Sequence, residues 1–287
     1  SSDVCSSDLY KWYSKKNVEK NQVLFIEIRY AELTDNFTLL YEEFCRRDEF
    51  TVNTAFLGNS VFSYKEYVKA CFHMIKNLAT AEYVLVDESS NVLAALPIRK
   101  ETRMIQTWHG CGAFKRFGYG GVSRLKEKYY NDYYFTTVSS PEVVDIYADS
   151  MGQKKEKVLP IGVSRTDVFF DEAYIKSCGE RIREKYNIVA EKKIILYAPT
   201  FRGNVQEAQP PVLLDAGKMF EHLGNGYVIL YKGHPAVKTL PDVPEEYADF
   251  LMDASLDNVE ELMCSSDCCI TDYSSLIFEY ALLKRPM

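Results

Sequence analysis

Two histidines stand directly after apolar runs of strand type, each beside glycine. His109 lies in Thr107-Trp108-His109-Gly110, with Gly112 close by, and His234 lies in Lys232-Gly233-His234-Pro235. An imidazole near its ordinary pKa is the natural proton acceptor at neutral pH. Neighbouring glycines let backbone approach a ligand closely, and Pro235 stiffens the second loop. A third stretch runs Ile270-Thr271-Asp272-Tyr273-Ser274-Ser275-Leu276-Ile277-Phe278-Glu279. It sets the Asp272 carboxylate and the hydroxyls of Thr271, Ser274 and Ser275 between a strand-like run and an apolar, helix-like run over 276–283. Ser274 or Ser275 is placed to cap that helix. A strand entering a helix through small polar residues offers an anion free N–H groups and the positive end of the helix dipole. The competing reading is an ordinary capped helix start. Arg202 and Lys232 sit on the same kind of loop, with Lys115, Arg116 and Arg165 near others, and such groups neutralise phosphate oxygens. A solvated face accounts for Lys115 and Arg116 as readily. The remaining histidines, His73 and His222, fall in helical patterns and read as ordinary helix residues.

The elements that must position these residues alternate. Strands are predicted at 23–28, 51–57, 83–87, 104–107 and 134–138, and helices at 37–44 and 64–79, the latter with apolar residues at helical spacing. Ser139 with Glu142 fits a capping box, Pro141 suits a first turn, and Gly152 closes that helix. Val158 to Gly162 reads as a strand ending in a Pro/Gly break, which sets a domain boundary near 160. The alternation then restarts: helix 171–186, strand 194–197, helix 213–223, strand 227–231, a turn-rich 241–244, a short helix 258–264 and the run before Thr271. Such alternation means parallel sheets with helices on both faces. Ligands of these sheets bind outside the carboxyl ends of the strands. His109, Arg202, His234 and the 272–275 turn all follow a strand, which suits a cleft with one histidine as general base.

Composition sets bounds. The 287 residues are 47% hydrophobic and 26% charged, globular with length for two domains. A net charge of −7 gives no electrostatic case for nucleic acid. The eight cysteines form no C-x-x-C pair, which argues against a zinc site or a disulfide framework and for a reducing cytosol. No apolar run reaches transmembrane length, and no signal-peptide pattern is present. Lys126, Lys128, Lys154, Lys155 and Lys157 read as solvated surface, with an anionic membrane face as the alternative. Ser1 to Leu9 reads SSDVCSSDL, has no pattern that could pack, and is expected to be a non-native scar. A strand should follow Lys284-Arg285-Pro286-Met287, so the second domain is expected to be truncated.

Four motifs in order carry a family resemblance. They are Thr107-Trp108-His109-Gly110 with 112–118, Tyr197 to Arg202, Lys232 to Pro235, and Ile270 to Ser275 with Phe278-Glu279. Over roughly residues 100–287 the chain resembles the CDP-glycerol glycerophosphotransferase family, the teichoic acid primases and polymerases of Gram-positive bacteria and related ribitol-phosphate transferases. The resemblance implies a GT-B fold: two Rossmann-like domains, 10–160 for the acceptor and 161–287 for the CDP donor. It implies transfer of glycerol or ribitol phosphate from CDP-glycerol or CDP-ribitol to a hydroxyl of a lipid-linked saccharide or polyol-phosphate acceptor, peripherally at the cytoplasmic face of the membrane. On the matching positions, His109 is the implied base and His234 the group that binds or protonates the donor pyrophosphate. Thr271, Asp272, Ser274, Ser275, Arg202 and Lys232 are the implied donor and phosphate contacts. No metal or cofactor is implied, because helix dipole and imidazolium supply positive charge. A nucleotide-sugar glycosyltransferase of the same fold and an inactive binding module remain as alternatives.

Overall fold

The structure is a computed structural model describing residues 2–59, 61–121, 130, 132–203, 208–209, 214–234, 237 and 243–287. Lys126, Lys128, Leu213, Pro235 and Pro241 lie outside the described residues. The chain divides into two compact units, Ser1–Arg165 and Thr166–Met287. The division falls five residues beyond the break read at 160, because Ser164 and Arg165 both bond to Asn36 of the first unit.

The first unit runs α1 (Ser2–Tyr13), β1 (Glu19–Glu27), α2 (Asp35–Cys45), β2 (Thr51–Phe56), α3 (Tyr64–Leu78), β3 (Ala81–Val86), α4 (Asn91–Ala95), β4 (Arg103–Gln106), β5 (Phe135–Thr137), α5 (Val144–Met151) and β6 (Val158–Leu159). Its six strands are parallel in the order β2-β1-β3-β4-β5-β6. Side chains alternate across a strand, and the core divides accordingly. Leu24, Ile26, Val84 and Val86 face α1, α3, α4 and α5 on one side. Val23, Phe25 and Leu85 face Phe37 and Tyr41 of α2 on the other. A strand buried on both faces reads as the continuous apolar run Val23–Ile26.

Two expectations change here. Packing was not expected before residue 10, yet the N-terminal segment is helical, Leu9 packs on the core and Tyr10 is buried. The Tyr10 hydroxyl accepts the Arg99 N–H at 3.3 Å. Ser140, not Ser139, precedes the 141–143 turn. The Ser139 hydroxyl instead accepts the Gly112 N–H at 3.2 Å. Gly152 closes α5 with φ +65° as read.

The second unit runs α6 (Glu172–Lys185), β7 (Lys193–Ala198), α7 (Ala216–Leu223), β8 (Tyr227–Tyr231), β9 (Leu251–Asp253), α8 (Val259–Ser265), β10 (Cys268–Thr271) and α9 (Leu276–Tyr280). The sheet is parallel in the order β10-β7-β8-β9. Asp171, Asp215 and Asn258 cap α6, α7 and α8 through their side chains. Each satisfies N–H groups that a helix start leaves open. The helix expected over 276–283 is shorter: α9 spans five residues and passes into a single 3-10 turn at 281–283. A helix of little more than one turn carries a weaker dipole than a long buried one. β9, short and half-polar, had no recognisable strand pattern. Cys45, Cys71, Cys111, Cys178, Cys264, Cys268 and Cys269 are free thiols.

Candidate active site

Topology makes a crevice in the six-stranded sheet. The chain leaves β1 toward β2 on one side, while β3 lies on the other. Adjacent loops after β1 and β3 therefore diverge, and a crevice opens at their carboxyl ends. Register sets Ile26 beside Val86. The residues that follow, Glu27 and Asp87, are both buried.

His109 enters this crevice from the end of β4. The Thr107 N–H and hydroxyl both bond to the Val86 carbonyl. Trp108 then turns the backbone into the left-handed region, φ +58°, unusual for a bulky residue. Its N–H is taken by Gln106 Oε1 at 2.9 Å, and Gln106 is fully buried. That turn stacks the His109 ring on the indole, centroids 4.4 Å apart. It also places Nδ1 2.8 Å from the Asp87 carbonyl oxygen. A carbonyl only accepts, so Nδ1 carries the proton and the Nε2 lone pair is left available. Burial pushes the His109 pKa down, with Arg29 and Arg165 adding to the effect against the Asp87 carbonyl and Glu88.

The crevice is a cavity of about 230 Å³ beside His109. Burial, followed by the neighbouring Glu27 charge, pushes the Asp87 carboxyl up to about 7. Asn36 donates its amide N–H to Asp87 at 2.7 Å, and its amide oxygen accepts from Arg165 at 3.0 Å. Glu27 accepts the Thr34 hydroxyl at 2.9 Å and the Arg29 N–H at 3.0 Å. Arg29 forms a two-pronged ion pair with Glu88, which raises its own pKa. Sequence reading missed Glu27, Asn36 and Asp87. The first and last follow apolar strand runs directly, the signal that singled out His109. Asn36 carries no such signal.

In the second unit the loops after β7 and β10 are bonded to each other. Asp272 Oδ1 accepts the Thr200 N–H at 2.8 Å, and Oδ2 accepts Arg202 at 2.9 Å. Burial pushes the Asp272 carboxyl up, but the bonds from Thr200 and Arg202 outweigh it and hold it below the ordinary carboxylate value. The Thr271 hydroxyl donates to the Ala198 carbonyl at 2.6 Å, which commits its only hydrogen inside the sheet. Lys232 donates to the carbonyls of Ser255 and Asp257, both at 2.6 Å. Burial lowers its pKa against the pull of Asp257 and Asp253. Ser274 accepts the Leu276 N–H at 3.3 Å. Its hydroxyl hydrogen and that of the exposed Ser275 have no bond among the described residues. The exposed His234 ring packs on Phe201, centroids 4.6 Å apart.

The other singled-out side chains separate cleanly. Lys115 and Arg116 are exposed, and His73 and His222 lie on exposed helix surfaces. Lys155 and Lys157 pair with Asp145 and Asp132. Among the described residues no cluster of His, Cys, Asp and Glu could hold a metal ion.

The family model for CDP-Glycerol:Poly(glycerophosphate) glycerophosphotransferase matches residues 9–287. A teichoic acid poly(ribitol-phosphate) polymerase of Bacillus spizizenii is 37% identical over 279 residues, covering 94% of this chain and 45% of the relative. The chain thus spans about half the length of that polymerase. A teichoic acid ribitol-phosphate primase of the same organism is 34% identical over 286 residues, covering 94% of this chain and 72% of the primase. Among solved structures, a variant of the wall teichoic acid polymerase TagF soaked with CDPG superposes with a TM-score of 0.76. It is 23% identical and covers 99% of this chain and 74% of the other. That likeness shows the fold, which is GT-B-like.

Proposed function

The chain belongs to the CDP-glycerol:poly(glycerophosphate) glycerophosphotransferase family, and on that premise we propose that it transfers a polyol phosphate, glycerol or ribitol, from a CDP-activated donor to a hydroxyl of a lipid-linked acceptor in teichoic acid synthesis. The observation that carries this reading is the His109 ring. Its Nδ1–H is fixed on the Asp87 carbonyl, and burial lowers its pKa, which favours the neutral ring. Nε2 is then a proton acceptor held in one orientation.

The acceptor hydroxyl gives its proton to Nε2 as its oxygen attacks the phosphorus that bears the polyol. A new O–P bond forms, the P–O bond to CMP breaks, and CMP leaves with the electron pair. In-line displacement of this kind depends mainly on positioning and charge stabilisation. His234, Ser274 and Ser275 supply the donor-side hydrogen bonds, with the remaining ammonium hydrogen of Lys232. Arg202 and Asp272 hold the loops that present them, and Thr271 ties β10 to β7. A lipid-linked acceptor places the reaction at the cytoplasmic membrane face. Among the described residues no helix is long and apolar enough to cross a membrane.

The test uses the natural protein that contains this chain, incubated with CDP-glycerol or CDP-ribitol and a lipid-linked disaccharide. Acceptor-dependent CMP release that His109→Ala lowers by about two to four orders of magnitude supports the reading. A folded protein that releases CMP from neither donor overturns it.

A further inference from the structure

The cavity beside His109 has a charge and hydrogen-bond pattern that says what it can hold. Its arginines, Arg29 and Arg165, face four carboxyl side chains: Glu27, Asp35, Asp87 and Glu88. The lining therefore stays negative even when Asp87 carries its proton. Arg29 is already paired with Glu88, and Arg165 with Asn36. A phosphate entering here would meet like charge and committed donors. Hydroxyl groups meet the opposite: buried oxygens able to accept. Asp87 is 5% exposed and Glu27 1%. Beyond its own residue, the only hydrogen-bond partner of the Asp87 carboxyl among the described residues is Asn36. At about 30 Å³ per water, a 230 Å³ cavity has room for several waters or one small polyol.

We propose that this cavity is the acceptor subsite, that it takes the neutral, hydroxyl-bearing end of the acceptor and not a phosphate, and that Asp87 and Glu27 accept from hydroxyls next to the one activated by His109. The proposal rests on the transferase reading and adds the class of group recognised. A vicinal diol suits the site because one hydroxyl can reach Nε2 while its neighbour donates to a carboxyl. The bond from Asn36 to Asp87 holds that carboxyl in place. The Arg165 bond fixes which way the Asn36 amide faces, since a guanidinium only donates.

The experiment reads binding without donor or turnover, so an inactive transferase assay does not bear on it. The 1–287 chain is titrated with ribitol, glycerol, a methyl glycoside and glycerol 3-phosphate, while the ring resonances of its four histidines are followed by NMR. Saturable movement of the His109 signals by a neutral polyol or by the glycoside supports the proposal, and which of the two binds tighter names the source of the diol. Glycerol 3-phosphate should bind no tighter than glycerol. Asp87→Asn keeps shape and the Asn36 bond, and should weaken binding about tenfold when measured above pH 7, where the carboxyl is charged, the scale of one hydrogen bond to a buried charged group. Should that variant fail to fold, Glu27→Gln tests the same claim. Tighter binding of the phosphate ester, no movement of His109 by any neutral probe, or undiminished affinity in folded variants would each overturn it.

Discussion

Asp272 takes the Arg202 guanidinium at 2.9 Å and so ties the loop after β10 to the loop after β7. The same carboxylate takes the Thr200 N–H at 2.8 Å. Arg202 is more than half exposed, so the ion pair contributes about 0.2–1 kcal/mol. The bond from a backbone N–H to a charged carboxylate contributes more, about 1.5–3 kcal/mol. Asp272→Asn keeps an acceptor for Thr200 and should cost under about 1 kcal/mol in urea unfolding, while Asp272→Ala should cost roughly 2 kcal/mol. Equal losses in the two variants would mean that the ion pair, and not the Thr200 bond, locks the loops.

Lys232 makes a second prediction of the same kind. Its ammonium serves two backbone carbonyls in a half-buried setting. Lys232→Met should leave both short of a partner and cost about 1–3 kcal/mol of stability. Comparing chemical unfolding with the KM for donor checks this. A large rise in KM with unchanged stability would make Lys232 a ligand first and a loop clamp second.

The pH dependences of His109 and Asp87 have opposite signs. Burial lowers the His109 pKa, so the unfolded chain binds the proton better. Its contribution is fully present above the ordinary imidazole value near 6.5 and is lost as pH falls below it. Asp87 is raised from 3.8 to about 7, so the folded chain binds the proton better. Its contribution is present at low pH and lost as pH rises from about 4 toward 7. Asp87→Asn should therefore remove a downward slope of stability across that window, and its stability relative to the parent should grow with pH and level off above 7. Unfolding series at several pH values check this, and parallel curves would refute it. An NMR titration of His109 should give a midpoint below 6.5.

Gly118 carries a steric prediction. It has φ +54°, and a Cβ there would sit 2.1 Å from the Ser150 carbonyl oxygen. Neither atom is the end of a flexible side chain. Gly118→Ala should destabilise by at least ~2 kcal/mol, from strain plus backbone displacement. Gly162→Ala has an unfavourable φ of +100° but open space around it, and should cost about 1 kcal/mol. Matching melting temperatures for the two variants would contradict this account.

Strand positions were legible because both sheets are buried on two faces, and buried parallel strands write themselves as apolar runs such as Val23–Ile26 and Ile194–Tyr197. The histidines were legible because they follow such runs. The Asp87–Asn36–Arg165 chain was not. It joins residues 51 and 129 positions apart, and nothing local marks Asn36. Asp272 and Thr271 were found from the sequence, yet the bonds they make belong to neighbouring loops and strands. Periodicity reports burial, whereas hydrogen-bond direction depends on the partner that tertiary structure brings in. The N-terminal helix escaped because the residues that pack on the core, Leu9, Tyr10 and Tyr13, come in its second half.

The bond between Arg165 and Asn36 also orders events during synthesis. Asn36 leaves the ribosome before its partners Ser164 and Arg165, which follow 128 and 129 residues later. Domains emerge and fold from the N-terminus at about 5–20 residues per second, so β1 can pair with β3, and Asn36 bond to Asp87, several seconds before Arg165 reaches the Asn36 amide oxygen. A nascent chain arrested before Ser164 would have its histidine in place but one wall of the cavity unbraced. Translation through this junction is thus the step that finishes the first unit.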